Sequence, residues 1–198
     1  MPEVTEQPTK PLRTWRPMVF WTAGILLALG LVWFVAAVVV PVWQVRPVLE
    51  EMWDGAHSHA VSFQATGEPL TDYRAAQVFS GETEAADRAL ARLGGQDRAV
   101  GKLRFYLRLP SGLAPHKNMA VVVLGHCDSR VLAALREAAR SRDRAVRRIA
   151  AAEMGLLCPS NDRATVDVLE QLKQDEDEGV RTMAEAALCS IRVAETPK

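Results

Sequence analysis

What the sequence lacks narrows its class before any motif is read. Net charge is zero, with 24 Lys and Arg against 24 Asp and Glu, so no global field draws the chain to nucleic acid or to an anionic surface. There are three cysteines, Cys127, Cys158 and Cys189. Their small number and wide spacing exclude a disulfide framework and a cysteine-rich zinc site, so all three are expected as small core residues. Tyrosines number two, and no aromatic residue follows Tyr106. With Ala, Leu, Val and Arg abundant instead, the composition favours helices over strands. Catalytic signatures are missing as well: there is no G-x-S-x-G elbow, no H-E-x-x-H, no phosphate-binding loop and no C-x-x-C. His126 and Cys127 are adjacent, which points their side chains about 100° apart on a helix and argues against a thiol–imidazole pair.

Charge is also absent from Pro17 to Val45, between Arg16 and Arg46. Met18–Val40 is a run of 23 residues with only Thr22 polar. A bilayer core of ~30 Å needs about 20 such residues at ~1.5 Å each, whereas the apolar part of a cleaved signal peptide spans only ~7–15. Trp15 and Trp21 near one end and Trp43 near the other suit the headgroup level, and Pro41 is the expected stop. Lys10, Arg13 and Arg16 precede the run and Arg46 alone follows it closely. The positive-inside rule then leaves the amino terminus in the cytoplasm and exports the rest, to the periplasm if the source is bacterial. Residues 1–17, with three prolines, read as a disordered cytoplasmic tail.

Residues 41–70 read as a membrane-proximal connector, with Val48, Leu49, Met52 and Trp53 at helical spacing in a short amphipathic stretch before Gly55. Asp54, His57 and His59 lie close together there. Histidines at i and i+2 do not share a helical face, and no further ligand is near, so they are expected as solvated connector residues rather than a metal site.

From residue 71 to 196 the organising feature is internal repetition. "VRRIAAAEMG" (146–155) reappears 34 residues later as "VRTMAEAALC" and 30 residues earlier as "HKNMAVVVLG". The shared positions are an apolar fourth (Met119, Ile149, Met183), an alanine fifth (Ala120, Ala150, Ala184) and an apolar ninth (Leu124, Met154, Leu188). The preceding segments align without a gap: Leu132, Leu135 and Ala138 match Val166, Leu169 and Leu172, one stripe of a helix face. Arg98–Pro110 gives a comparable first helix. Each unit is thus helix, short turn, helix. Breaks fall at "PSGLAP", "GHCDS" and "CPSND", with Ser129 and Asn161 or Asp162 as expected caps and Gly155 as the exit from its helix. A pair of this size cannot bury its apolar face alone, so the units must stack. Thr71–Gly95 is expected as a divergent helical cap.

A Leu-rich first helix, then Asp-x-x-x-x-Val-Arg, then an alanine-rich second helix resembles HEAT repeats, over roughly residues 95–193. "LEQLKQDEDEGVRTMAEAALC" fits best, with Asp175 and Arg181 at the family's Asp and Arg positions. The middle unit keeps Arg147 but has Ser141 in place of the Asp, and the first has His116 and Lys117. The resemblance implies hydrogen bonds from these side chains within and between units, with Val146, Val180, Ala150 and Ala184 as structural repeat positions. The Trp and Tyr signature of tetratricopeptide repeats is missing. The expected fold is therefore all-α, a short α-solenoid preceded by one transmembrane helix.

Charge is uneven along the array: seven arginines from Arg130 to Arg148 against two acids, then eight acids from Glu153 to Glu178 against Arg163 and Lys173. Mutual attraction of neighbouring units is one reading, and a face for a protein partner another. Phosphate contacts by Arg136, Arg140, Arg144, Arg147 and Arg148 would serve nucleic acid, which an exported, tethered array does not meet. The expectation is a non-catalytic scaffold without cofactor or metal that contacts protein through Arg148, Ala151, Thr182 and Glu185. The alternatives are a HEAT-like lyase-type enzyme or subunit, and a structural oligomer in a membrane complex.

Overall fold

The computed structural model describes residues 16–58, 67–79, 81–159 and 162–195, and every regular element among them is a helix. The expected tail up to Trp15, His59 of the histidine pair and the possible cap Asn161 lie outside the described residues. The chain divides into two compact units, Met1–Val40 and Pro41–Lys198.

The first unit holds α1 (Arg16–Phe34) and a π-helical turn (Val35–Val39). Ile25, Leu26, Leu27, Leu31 and Trp33 are all more than half exposed, which water would oppose and hydrocarbon would not. One helix, Ala23–Asp54, is long and apolar enough to cross a membrane, with a mean hydropathy of 2.8 in its apolar window. Pro41 does not stop a helix as expected. It lies in the first turn of α2 (Val40–Ser58), where its missing N–H costs no hydrogen bond. The π turn just before it widens the backbone, with Val40 N–H bonding Val35 C=O.

In the second unit the expected connector is instead a core helix. Val45 and Leu49 of α2 are fully buried and Met52 nearly so. Further along, Trp53 stacks on His116 with ring centroids 4.9 Å apart. His116 adopts a left-handed backbone (φ 56°) where the chain turns into the next pair's second helix. Val45, Leu49 and Met52 form an i, i+4, i+7 stripe, and that stripe is what the domain buries. The helical unit therefore begins at Pro41 rather than at residue 71.

Two helices, α3 (Pro69–Phe79) and α4 (Glu82–Arg92), precede three stacked pairs. The pairs are α5 (Gln96–Arg108) with α6 (Lys117–Gly125), α7 (Leu132–Ala138) with α8 (Arg144–Leu157), and α9 (Arg163–Leu172) with α10 (Glu178–Glu195). A 3-10 turn, Ser129–Val131, leads into α7. Its cap is Asp128, not the expected Ser129, while Asp143 and Asp162 cap α8 and α9. The second helices form the spine: α8 lies between α6 and α10. Ala150, Ala151 and Ala152 are fully buried there, so small side chains let neighbouring axes approach.

Gly155 is inside α8 rather than at its exit. A Cβ on it would lie 2.6 Å from the Ala187 Cβ of α10, so the glycine is fixed by packing and not by a turn. The cysteines divide: Cys127 is buried, Cys158 half-buried and Cys189 exposed. Cys189 therefore corrects the expectation of three core thiols.

Candidate functional site

The side chains that tie the pairs together recur at matched positions. Arg147 Nη1 donates to the carbonyls of Ser141 and Arg142 at 3.0 and 3.2 Å, closing its own unit's turn. Thirty-four residues on, Arg181 Nη1 does the same to Asp175 and Glu176 at 2.8 and 3.1 Å. In the first unit Lys117 fills this role, donating to the carbonyls of Leu107, at 2.8 Å, and Leu109. Arg147 also reaches the next unit, with Nε and Nη2 each 2.8 Å from the Asp175 carboxylate. Both side chains are only 10% exposed. This two-pronged bond holds the Asp175 carboxyl below its ordinary range, the Arg147 hydrogen bonds being the largest cause. Val146, Val180, Ala150 and Ala184 are fully buried around these contacts.

The uneven charge is largely consumed between units. Arg136 bridges from α7 to the Asp162 carboxylate and the Thr165 hydroxyl at 2.8 and 2.9 Å. Arg104 and Arg108 of α5 converge on Glu137 of α7. Hydrogen bonding by Arg108, reinforced by Arg104, outweighs desolvation and lowers the Glu137 carboxyl to about 2. Arg144 lies 3.6 Å from Asp177. Of the five arginines suited to phosphate, Arg136, Arg144 and Arg147 are thus engaged within the array.

Helix α3 lies across α8 and α10, and α4 across α6. Sequence reasoning missed the polar contact that α3 makes there. The Tyr73 hydroxyl donates to Glu153 Oε1 at 2.7 Å, and Gln77 Nε2 donates to the same oxygen at 2.9 Å. Glu153 is 1% exposed. Burial raises its carboxyl above the ordinary value, and burial followed by the Glu153 charge raises the Tyr73 hydroxyl further. Gly125 makes the space: a Cβ there would lie 2.1 Å from the Glu153 carboxyl. A signal for this existed in the repeat register, since Glu153 stands where the flanking units have the fully buried Val123 and Ala187. Beside it, His126 Nδ1 lies 3.9 Å from Asp87 and its buried Nε2 lacks a hydrogen-bond partner among the described residues. Burial lowers its basicity, which keeps the ring neutral.

Of the four residues expected to meet a partner, Arg148, Thr182 and Glu185 are exposed. Ala151 is fully buried and touches only the chain's own core, which removes it from that surface. The aliphatic part of Arg148 lies over Gly179, 3.2 Å from where a Cβ would be, so this side chain is laid along the next unit. Among the described residues no group of three or more His, Cys, Asp and Glu is placed to hold a metal. The Cys127 thiol donates to its own helix at Val123, and burial pushes it up to about 11, so it is a packed thiol rather than a nucleophile.

With this geometry in view, the comparisons are concordant. Residues 107–189 match the family model for HEAT repeats, from the end of α5 to the middle of α10. No curated protein and no solved structure matches the chain. The helix pairs over this segment are HEAT repeats, and the fold is all-α.

Proposed function

From HEAT repeats as the premise, we propose that the protein is a single-pass membrane protein whose array serves as a non-catalytic protein-binding scaffold. HEAT repeats commonly mediate protein–protein contact, and the match over residues 107–189 carries the reading. The exposed apolar helix supports the membrane anchor. Its 23-residue apolar core exceeds that of a cleaved signal, and the flanking Lys10, Arg13 and Arg16 favour an amino terminus in the cytoplasm and an exported array. In a bacterium this is the inner membrane with the array in the periplasm. Arg148, Thr182 and Glu185 are the residues on the second helices that remain available to a partner.

Site-specific photo-crosslinkers at Arg148 and Thr182, in native membranes, test the reading. A discrete protein adduct at these positions, absent from a probe at buried Ala151, is the expected result. Equal, diffuse labelling at all three, or none, would contradict it. A phosphatase or reporter fused after Lys198 tests orientation separately: activity confined to the cytoplasm would reverse the topology.

A further inference from the structure

The stacking of second helices follows a register that ends at an exposed position. Gly125 on α6 receives Glu153 of α8, and Gly155 on α8 receives Ala187 of α10. One more unit, 34 residues on, brings the same register to Cys189 on α10, which is exposed. Arg181 repeats the pattern: it closes its own turn as Arg147 does, but among the described residues it pairs with no carboxylate of a following unit. Cys189, with Leu188, Val193, Glu185, Arg192 and Lys173, lines an open groove of about 410 Å³. Here a stacking face has nothing stacked upon it.

We propose that this face binds a second copy of the chain, α10 against α10 in an antiparallel two-fold contact. The proposal rests on the protein-binding reading and names the partner. Its charge pattern is self-complementary. Glu185 and Arg192 lie equally far on either side of the point between Leu188 and Cys189, so antiparallel pairing sets each Glu185 against Arg192 of the second copy. At ~1.5 Å per residue the two charges are ~10 Å apart along the helix, and a two-fold axis between them satisfies both pairs at once. Parallel pairing would set like against like, which is disfavoured. A regular further repeat fits less well, because the glycine of both inner seams is replaced by a cysteine side chain that holds the partner helix farther off. Arg192 already donates to Glu170 at 3.0 Å, but both side chains are well exposed, at 68% and 40%. Such a surface pair is weak, and the guanidinium keeps further donors for a second carboxylate.

The test uses the full-length chain in lipid nanodiscs large enough for two copies, treated with a short bismaleimide. A covalent dimer that disappears in Cys189→Ser is expected, since Cys127 is buried. Glu185→Arg or Arg192→Glu should each lower the yield on the order of tenfold, and the double swap Glu185→Arg/Arg192→Glu should restore it. A chain that stays uncrosslinked overturns the proposal. So does a dimer indifferent to Glu185→Arg, since an association through the apolar helix would give that result. Failure here with photo-adducts at Arg148 intact rejects the second copy alone. Absence of those adducts with the dimer intact rejects the wider scaffold reading and leaves this contact standing.

Discussion

The array is held at two kinds of place, and they differ in what they tolerate. Along the seam of second helices, the contacts are between backbones and small side chains: Ala150, Ala151 and Ala152 fully buried, Gly125 and Gly155 with no room for a Cβ. Along the edge formed by first helices, the contacts are long charged side chains in partial contact with water, such as Arg104 and Arg108 on Glu137. The seam is specified by shape and the edge by charge. Shape fails abruptly when volume is added, whereas exposed charge pairs lose little when one member goes. The same contrast separates glycines in different units: Gly24 and Gly30 of α1 have open space around the missing Cβ, unlike Gly125 and Gly155.

Breaking the seam should have the largest effect. Gly155→Val sets a branched side chain against Ala187, including its Cα at 2.7 Å from the new Cβ. Urea unfolding of the second unit should show a loss of more than about 3 kcal/mol, whereas Gly30→Val should leave the transition unmoved. The ladder between seam and edge comes next. Asp175→Ala strands the half-hidden Arg147 guanidinium and should cost about 2–3 kcal/mol in the same assay. Glu153→Ala should cost about 2 kcal/mol, because the Tyr73 hydroxyl and Gln77 amide lose their shared acceptor and α3 loses its polar contact with α8. Amide exchange should report that loss as faster opening of α3 than of α10. At the edge, Glu137→Gln should cost less than about 1 kcal/mol near neutral pH.

Two glutamates sharpen the comparison through pH. Glu153 has its carboxyl raised by burial, so its linked stabilisation is complete below the ordinary value near 4.5 and is lost as pH rises through the raised value. Glu137 has its carboxyl lowered to about 2, so its stabilisation is present above 4.5 and is lost as pH falls toward 2. Urea midpoints measured across acid pH should therefore change in opposite directions for the two. Glu153→Gln should remove the decline above pH 4.5, and Glu137→Gln should soften the decline below it. Matching slopes in both variants would show that seam and edge do not differ electrostatically as described.

The repeat was legible in the sequence because its signals are local. Heptad-like apolar stripes, turn residues and the Val-Arg pair all fall within one unit, and their recurrence gave the helix pairs and the ladder from Arg147 to Asp175. What escaped was long-range. Tyr73 and Glu153 are 80 residues apart, and nothing in either segment alone names the other. Helix α2 was read as a connector because Val45 and Leu49 adjoin an apolar run, and hydropathy does not say which apolar residues face protein and which face lipid. Gly155 resembled a helix exit because glycine often ends helices, and only the neighbouring α10 reveals that it is there for close approach. Ala151 was placed on the surface for a related reason: small residues carry no directional signal of their own.

The central claim is that small residues on the second helices exist for stacking, and a double-mutant cycle between Gly155→Ala and Ala187→Gly tests it most directly. Each single change should destabilise the second unit, the first by collision and the second by lost packing and helix propensity. The double variant should recover at least about 1 kcal/mol beyond the sum, because removing the Ala187 methyl makes room for the new one. Additivity within about 0.5 kcal/mol would mean that these positions do not touch, and would contradict the stacking account.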